Sequence, residues 1–126
     1  MSSADRPNGQ LSILVVDDDA QVRLALTDIL QLGDHHVTTA EDGCVALRHL
    51  KSSHFDLMIT DLGMPGMSGL ELSSQAITLD PAIQIIIVTG YGAKITEEER
   101  TANRIIGVMP KPFRINQLHE YLDLMV

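Results

Sequence analysis

Apolar residues along this chain alternate between short unbroken runs and longer segments with a helical repeat. Leu11 to Val16 is a short, β-branched run followed directly by acids, which predicts a buried strand. Val22, Ala25, Leu26, Ile29 and Leu30 then recur on one helix face, with Gly33 as the stop. His36 to Thr39 predicts a second, less apolar strand, and Ala46, Leu47 and Leu50 a short second helix. Phe55 to Thr60 is a third strand. Ser68 and Glu71 have the spacing of a capping box and open a third helix that ends near Asp80 and Pro81. Gln84 to Thr89, with Ile85, Ile86, Ile87 and Val88 in a row, is the clearest buried strand. Thr96 and Glu99 repeat the capping box and open a fourth helix whose apolar stripe is poor. Ile105 to Met109 predicts a fifth strand, and Leu118, Tyr121, Leu122 and Met125 an apolar face on a last helix.

The pattern is βα repeated five times. Strands apolar throughout and separated by helix-length segments argue for a parallel sheet covered on both faces. Right-handed crossovers then restrict the connections. The flavodoxin-like (βα)5 doubly wound arrangement, with strand order 2-1-3-4-5, is a known solution that fits five units and this length.

Composition narrows the reading. The chain has 126 residues, enough for one domain and too few for two. Residues 1–10 read as a disordered polar leader and residues 11–126 as the folded domain. No apolar run approaches the roughly 18–20 residues of a membrane span, so no membrane insertion is expected. Cys44 is the lone cysteine, which excludes an internal disulfide and suits a reducing cytoplasm. The net charge of −8 makes direct nucleic-acid binding a poor expectation, because that affinity rests on Lys and Arg neutralising phosphates.

The chemistry collects where the strands end. In open α/β sheets ligands bind beyond the carboxyl ends of the strands, where strand order reverses. Asp17, Asp18 and Asp19 follow the first strand, Asp61 the third, Thr89 ends the fourth and Lys111 follows the fifth. Clustered carboxylates repel unless one is protonated or a cation sits among them. The rim offers only oxygen ligands, which suits a hard cation, and Mg²⁺ takes one or two carboxylates together with a phosphate oxygen. That combination points to phosphoryl chemistry, in which a carboxylate can be the nucleophile. Asp61, alone at its strand end with Gly63 just beyond, is the natural nucleophile. Asp17 and Asp18 form the metal-holding arm, and Thr89 and Lys111 neutralise the moving phosphoryl oxygens. Asp19 has the plainer alternative of capping the following helix, and that is the minority reading.

Other sites lack their signatures. There is no P-loop, no glycine-rich dinucleotide motif after the first strand and no nucleophile elbow. His35, His36, His49, His54 and His119 are scattered and read as surface or packing residues, and Cys44 as a small helix residue.

Ile13 to Asp19, Asp56 to Gly69, Ile85 to Gly90 and Lys111 to Phe113, taken in order, resemble the four motifs of the response-regulator receiver family. The resemblance covers essentially the whole chain from Leu11. It implies a signalling switch rather than an enzyme in the ordinary sense, catalysing only its own phosphorylation and dephosphorylation. Asp61 would accept a phosphoryl group from the phospho-histidine of a sensor histidine kinase or phosphotransfer protein. Asp18 would bind Mg²⁺ directly and Asp17 mostly through water, with the backbone carbonyl of Gly63 as a further ligand. Thr89 and Lys111 would contact the phosphoryl group, Gly90 would leave room for it, and the peptide before Pro112 would be cis. A downstream effector would be met through helix 4, strand 5 and helix 5, with a homodimer on phosphorylation as one form of output. Two positions depart from the common pattern. Val108 stands where relatives often carry an aromatic, and Tyr91 where many carry something smaller or charged. Tyr91 therefore replaces Val108 as the expected moving side chain. Two other readings remain: a receiver-like module that binds partners without phosphorylation, against which the intact acid, Thr89 and Lys111 set argues; and a small flavodoxin-like or phosphatase-type enzyme, against which stand the missing phosphate loop and the lack of an acid two residues after Asp61.

Overall fold

The structure is a computed structural model that describes residues 9–90 and 94–125. Most of the expected leader, and Tyr91, lie outside the described residues. Ten elements alternate in order: β1 (Ser12–Val16), α1 (Ala20–Leu32), β2 (His36–Ala40), α2 (Gly43–Ser52), β3 (Leu57–Asp61), α3 (Gly69–Leu79), β4 (Gln84–Thr89), α4 (Glu97–Ala102), β5 (Ile105–Pro110) and α5 (Ile115–Met125). The strands pair in parallel in the order β2-β1-β3-β4-β5, the flavodoxin-like arrangement expected from the pattern.

Alternation along each strand feeds two separate cores. Leu14, Val16, Met58, Ile85 and Ile87 face Ala46 and Leu50 of α2 and Leu72 and Ala76 of α3. Ile13, Val15, Leu57, Ile59, Ile86 and Val88 face Leu26 and Leu30 of α1 and Leu118 and Leu122 of α5. The helices therefore cover both faces, which is why β1, β3 and β4 can be almost wholly apolar. α4 contributes no buried residue, as its acidic sequence EEERTA suggests. Only Ile95, just before it, packs against the first core.

The helix starts are capped as the sequence indicates. Both capping boxes form, Ser68 with Glu71 and Thr96 with Glu99. Asp19 caps α1 through the Gln21 amide, and Asp42 caps α2 through the Val45 amide. Gly33 does end α1 but keeps a negative φ of −89°, and the left-handed turn falls on Asp34 at φ 62°. An aspartate tolerates that conformation better than most residues. β3 begins two residues later than Phe55: Asp56 instead ties down the start of β1, its carboxylate accepting the Ser12 amide at 2.8 Å.

Two glycines are dictated by contact. A Cβ on Gly69 would collide with the Asp61 carbonyl oxygen and reach within 3.0 Å of Leu62 Cα, so α3 starts hard against the end of β3. On β5 the register shifts between Ile85 and Ile86, whose partners are Ile105 and Gly107, leaving Ile106 as the extra residue of a bulge. The Tyr121 ring lies against Gly107, in the space a side chain would need.

At the other end of the sheet, His35 Nδ1 accepts the Leu11 amide at 3.0 Å. That bond requires an unprotonated Nδ1, so the neutral ring carries its proton on Nε2. Burial pushes the His35 pKa below 6.5 and the His119 imidazole adds to this, while the Asp34 charge opposes it.

Two outcomes follow from these contacts. Gly69→Ala should lower stability by about 1–3 kcal/mol in urea unfolding, because backbone rather than a flexible side chain occupies the space. Because the folded pKa of His35 is depressed, the unfolded chain holds more protons between that value and 6.5. Stability from this site should be complete above 6.5, fall as pH drops through the window, and level off below it. Urea midpoints across that range, compared with His35→Gln, which retains an acceptor but does not titrate, should show the His35 slope only in the parent.

Candidate functional site

The ends of β1, β3, β4 and β5 meet at one rim. Asp17 follows β1 and is buried, with 1% exposure. Its amide donates to the Ala40 carbonyl at 3.2 Å, its Oδ1 accepts the Asp19 amide at 2.9 Å, and its carbonyl accepts Arg23 Nη1 at 2.5 Å. Asp61 closes β3 and is also buried, at 7%. Its Oδ1 accepts the Gly63 amide at 3.3 Å. Asp18 is exposed, and its side chain makes no hydrogen bond or ion pair among the described residues.

Lys111 joins the two buried acids. Its Nζ stands 3.0 Å from Asp17 Oδ2 and 3.1 Å from Asp61 Oδ2. The base of the side chain is fixed by its own amide, which donates to the Thr89 carbonyl at 2.8 Å. The Lys111–Pro112 peptide is cis. Thr89 is buried at the end of β4, its hydroxyl donating to the Gly90 carbonyl at 3.3 Å. A Cβ on Gly63 or Gly90 would meet nothing within 4 Å, so both glycines border open space.

Burial pushes the Asp17 carboxyl above its ordinary value; the Asp19 amide and Lys111 act against that, and Asp61 adds to it. For Lys111 burial disfavours the ammonium, but hydrogen bonds and charges from Asp17 and Asp61 outweigh it and hold its pKa above the usual range. The two shifts differ in origin. The charged form of the lysine is favoured by its partners, whereas for Asp17 burial outweighs the single ammonium.

The acids have room for a further cation. Carboxylate oxygens of Asp17, Asp18 and Asp61 lie within 4.8 Å of one another, so these residues can hold a metal ion. It is the only such group of His, Cys, Asp or Glu among the described residues. The histidines stay apart from it: His54 lies between Asp56 and Asp80, 3.4 and 3.1 Å away, and His35 near His119. Val108 is half-buried against the α2–α3 core. The sequence reading passed over Arg23. Its signal is faint: it follows the cap Asp19 by four residues, which turns it back toward the end of β1.

The response regulator receiver domain family matches residues 13–123. The chain is 33% identical over 114 residues to the response regulator receiver protein CpdR of Brucella abortus strain 2308, covering 90% of this chain and 95% of that one. It is 34% identical over 113 residues to the response regulator protein FleR of Pseudomonas aeruginosa, again over 90% of this chain but only 23% of FleR. Among solved structures it resembles the response regulator TrrA of Thermotoga maritima in complex with Mg(2+)-BeF, with a TM-score of 0.81 and 32% identity, covering 91% of this chain and 98% of that one. Among the described residues no helix is long and apolar enough to cross a membrane.

The electrostatics of the rim yield a direct measurement. Lys111→Met removes the ammonium and leaves two buried carboxylates facing each other. The metal-free protein should lose about 2 kcal/mol in urea unfolding at neutral pH, less than for a fully buried pair because a quarter of the Lys111 side chain is exposed. Adding Asp17→Asn to that variant should return part of the loss.

Proposed function

Because the chain belongs to the response regulator receiver family, whose general role is to accept a phosphoryl group in two-component signalling, we propose that Asp61 is the residue that accepts it. The observation that carries this reading is the pairing of Asp61 with Lys111 beside Asp17, in a group that can hold a metal ion. The donor is the phospho-histidine of a sensor histidine kinase or phosphotransfer protein. An Asp61 carboxylate oxygen attacks phosphorus, a P–O bond forms, the P–N bond to the donor imidazole breaks, and its electron pair leaves with the imidazole.

The chain's own groups prepare that step. Asp61 is aimed by Lys111 on Oδ2 and by the Gly63 amide on Oδ1. Lys111 can follow the charge as it moves from the carboxylate to the phosphoryl oxygens. The Thr89 hydroxyl, now spent on the Gly90 carbonyl, is free to turn to a phosphoryl oxygen. The donor set is all oxygen, which fits Mg²⁺, with Asp17, Asp18, Asp61 and the Gly63 carbonyl as the residues that would hold it. When bound, Mg²⁺ supplies positive charge against the phosphoryl oxygens. The neighbour solved with Mg(2+)-BeF supports the same ion here.

The product is a switch: the chain catalyses only its own phosphorylation and dephosphorylation and acts on a cytoplasmic effector through α4, β5 and α5. An α4 with no buried residue is cheaply displaced, which suits it to that role. Val108 packs into the core and is stiff at χ1, so it is a poor moving part. Tyr91 is the candidate in its place, and a phosphorylation-induced homodimer is one form the output can take. The matched relatives include both a receiver of nearly this length and a much longer regulator, and the effector is accordingly a separate protein or a further domain.

Incubation with acetyl phosphate and MgCl₂ should add one phosphoryl mass to the parent by intact mass spectrometry, and none to Asp61→Asn, whose circular dichroism should be unchanged. A phosphoryl group mapped to Asp17, Asp18 or Asp19 in that variant would overturn the assignment. No mass gain by the parent would favour a binding module that works without phosphorylation.

A further inference from the structure

Arg23 is a charged side chain at the rim to which the reaction assigns no part. It reaches back from the second turn of α1 and donates Nη1 to the carbonyl oxygen of Asp17 at 2.5 Å, in a partly buried setting. That carbonyl lies just past the end of β1, beyond the paired residues of the strand.

The Asp17 carbonyl belongs to the peptide unit that runs from Asp17 Cα to Asp18 Cα. That unit is planar and moves as one body. A hydrogen bond that fixes the oxygen fixes the rotation of the plane, and with it the direction in which Asp18 leaves the backbone. Asp17 has other anchors: its amide on Ala40, Oδ1 on the Asp19 amide, and Oδ2 on Lys111. Asp18 has none, being exposed and without a side-chain partner among the described residues. Yet one of its oxygens stands within 4.8 Å of ligand atoms of Asp17 and Asp61. Its aim is set by the backbone alone.

We propose that Arg23 is a positioning residue for the cation site, holding the Asp17–Asp18 peptide plane so that Asp18 points its carboxylate at the metal. Arginine suits the task because its donors are rigid and its charge is permanent. It is spent on a neutral carbonyl, so it steadies the acid arm without occupying a carboxylate that the cation needs. The inference rests on the proposed Mg²⁺ role of Asp18.

The test uses Mg²⁺ alone, titrated calorimetrically into the unphosphorylated full chain, together with the thermal midpoint in EDTA. Arg23→Ala should weaken Mg²⁺ binding by about tenfold, the low end of what supporting hydrogen bonds around a metal are worth, while its EDTA midpoint stays close to that of the parent. Arg23→Lys, which keeps a donor and the charge on a side chain one bond shorter, should recover part of the affinity. Parent-like binding by Arg23→Ala overturns the proposal, as does Arg23→Lys binding no better than Arg23→Ala. So does a loss of affinity matched by a large fall in the EDTA midpoint, which marks a merely structural role. Asp18→Ala separates the two readings: if it binds Mg²⁺ like the parent, the metal role of Asp18 fails and the Arg23 proposal with it. If Asp18→Ala is weak and Arg23→Ala is not, only the Arg23 proposal fails.

Discussion

Two carboxylates taken out of water beside one another set the terms for the rest of this molecule. Asp17 and Asp61 are nearly inaccessible, and a single ammonium, Lys111 Nζ, lies between them. One positive charge against two buried negative ones is an unfinished balance. The site is therefore poised to take up more positive charge, and the three acids of the rim are close enough to share a cation. The stability of the metal-free fold and the chemistry of the rim are two expressions of this one imbalance.

The fold makes the imbalance tolerable by spreading it over separate elements. Each acid sits at the end of a strand whose interior residues are locked alternately into both cores. The backbone of neither acid can back away from the other without pulling a strand out of register. Gly69 adds to the confinement, because α3 begins in contact with the backbone of Asp61. Lys111 in turn is held by Thr89 through a backbone bond, so a change at the hydroxyl of Thr89 and a change at the ammonium are felt by the same short piece of β5. One of the two helices in contact with β5, α4, has no buried residue to resist movement.

Much of this was legible from the chain. Asp17, Asp61, Thr89 and Lys111 could be assigned to one rim because each follows or ends an apolar run, and strand ends in a parallel sheet lie together. The two capping boxes were legible because their bonds are local. What escaped has a common physical reason. Arg23 bonds to a backbone carbonyl, and a carbonyl leaves no mark on the residue type that carries it. The neutral anchoring role of His35 depends on an amide 24 residues away. The left-handed turn fell on Asp34 although Gly33 was the better residue for it, since the helix ran its full length before turning. The bulge on β5 joins a missing side chain at Gly107 to a ring on α5, a match between two elements that neither segment's periodicity reveals.

That bulge bears on the exposed edge of the sheet. β5 is an edge strand, with one row of backbone donors and acceptors unclaimed by any neighbour in the sheet. Such a row is a template on which another chain can lay a strand and begin to aggregate. The extra residue at Ile106 breaks the repeat of that row, and bulges bend and twist the strand that carries them. An incoming strand would find its hydrogen bonds out of step beyond the first few. The irregularity next to Tyr121 thus leaves β5, one of the two edge strands of the sheet, a less regular template for an added strand.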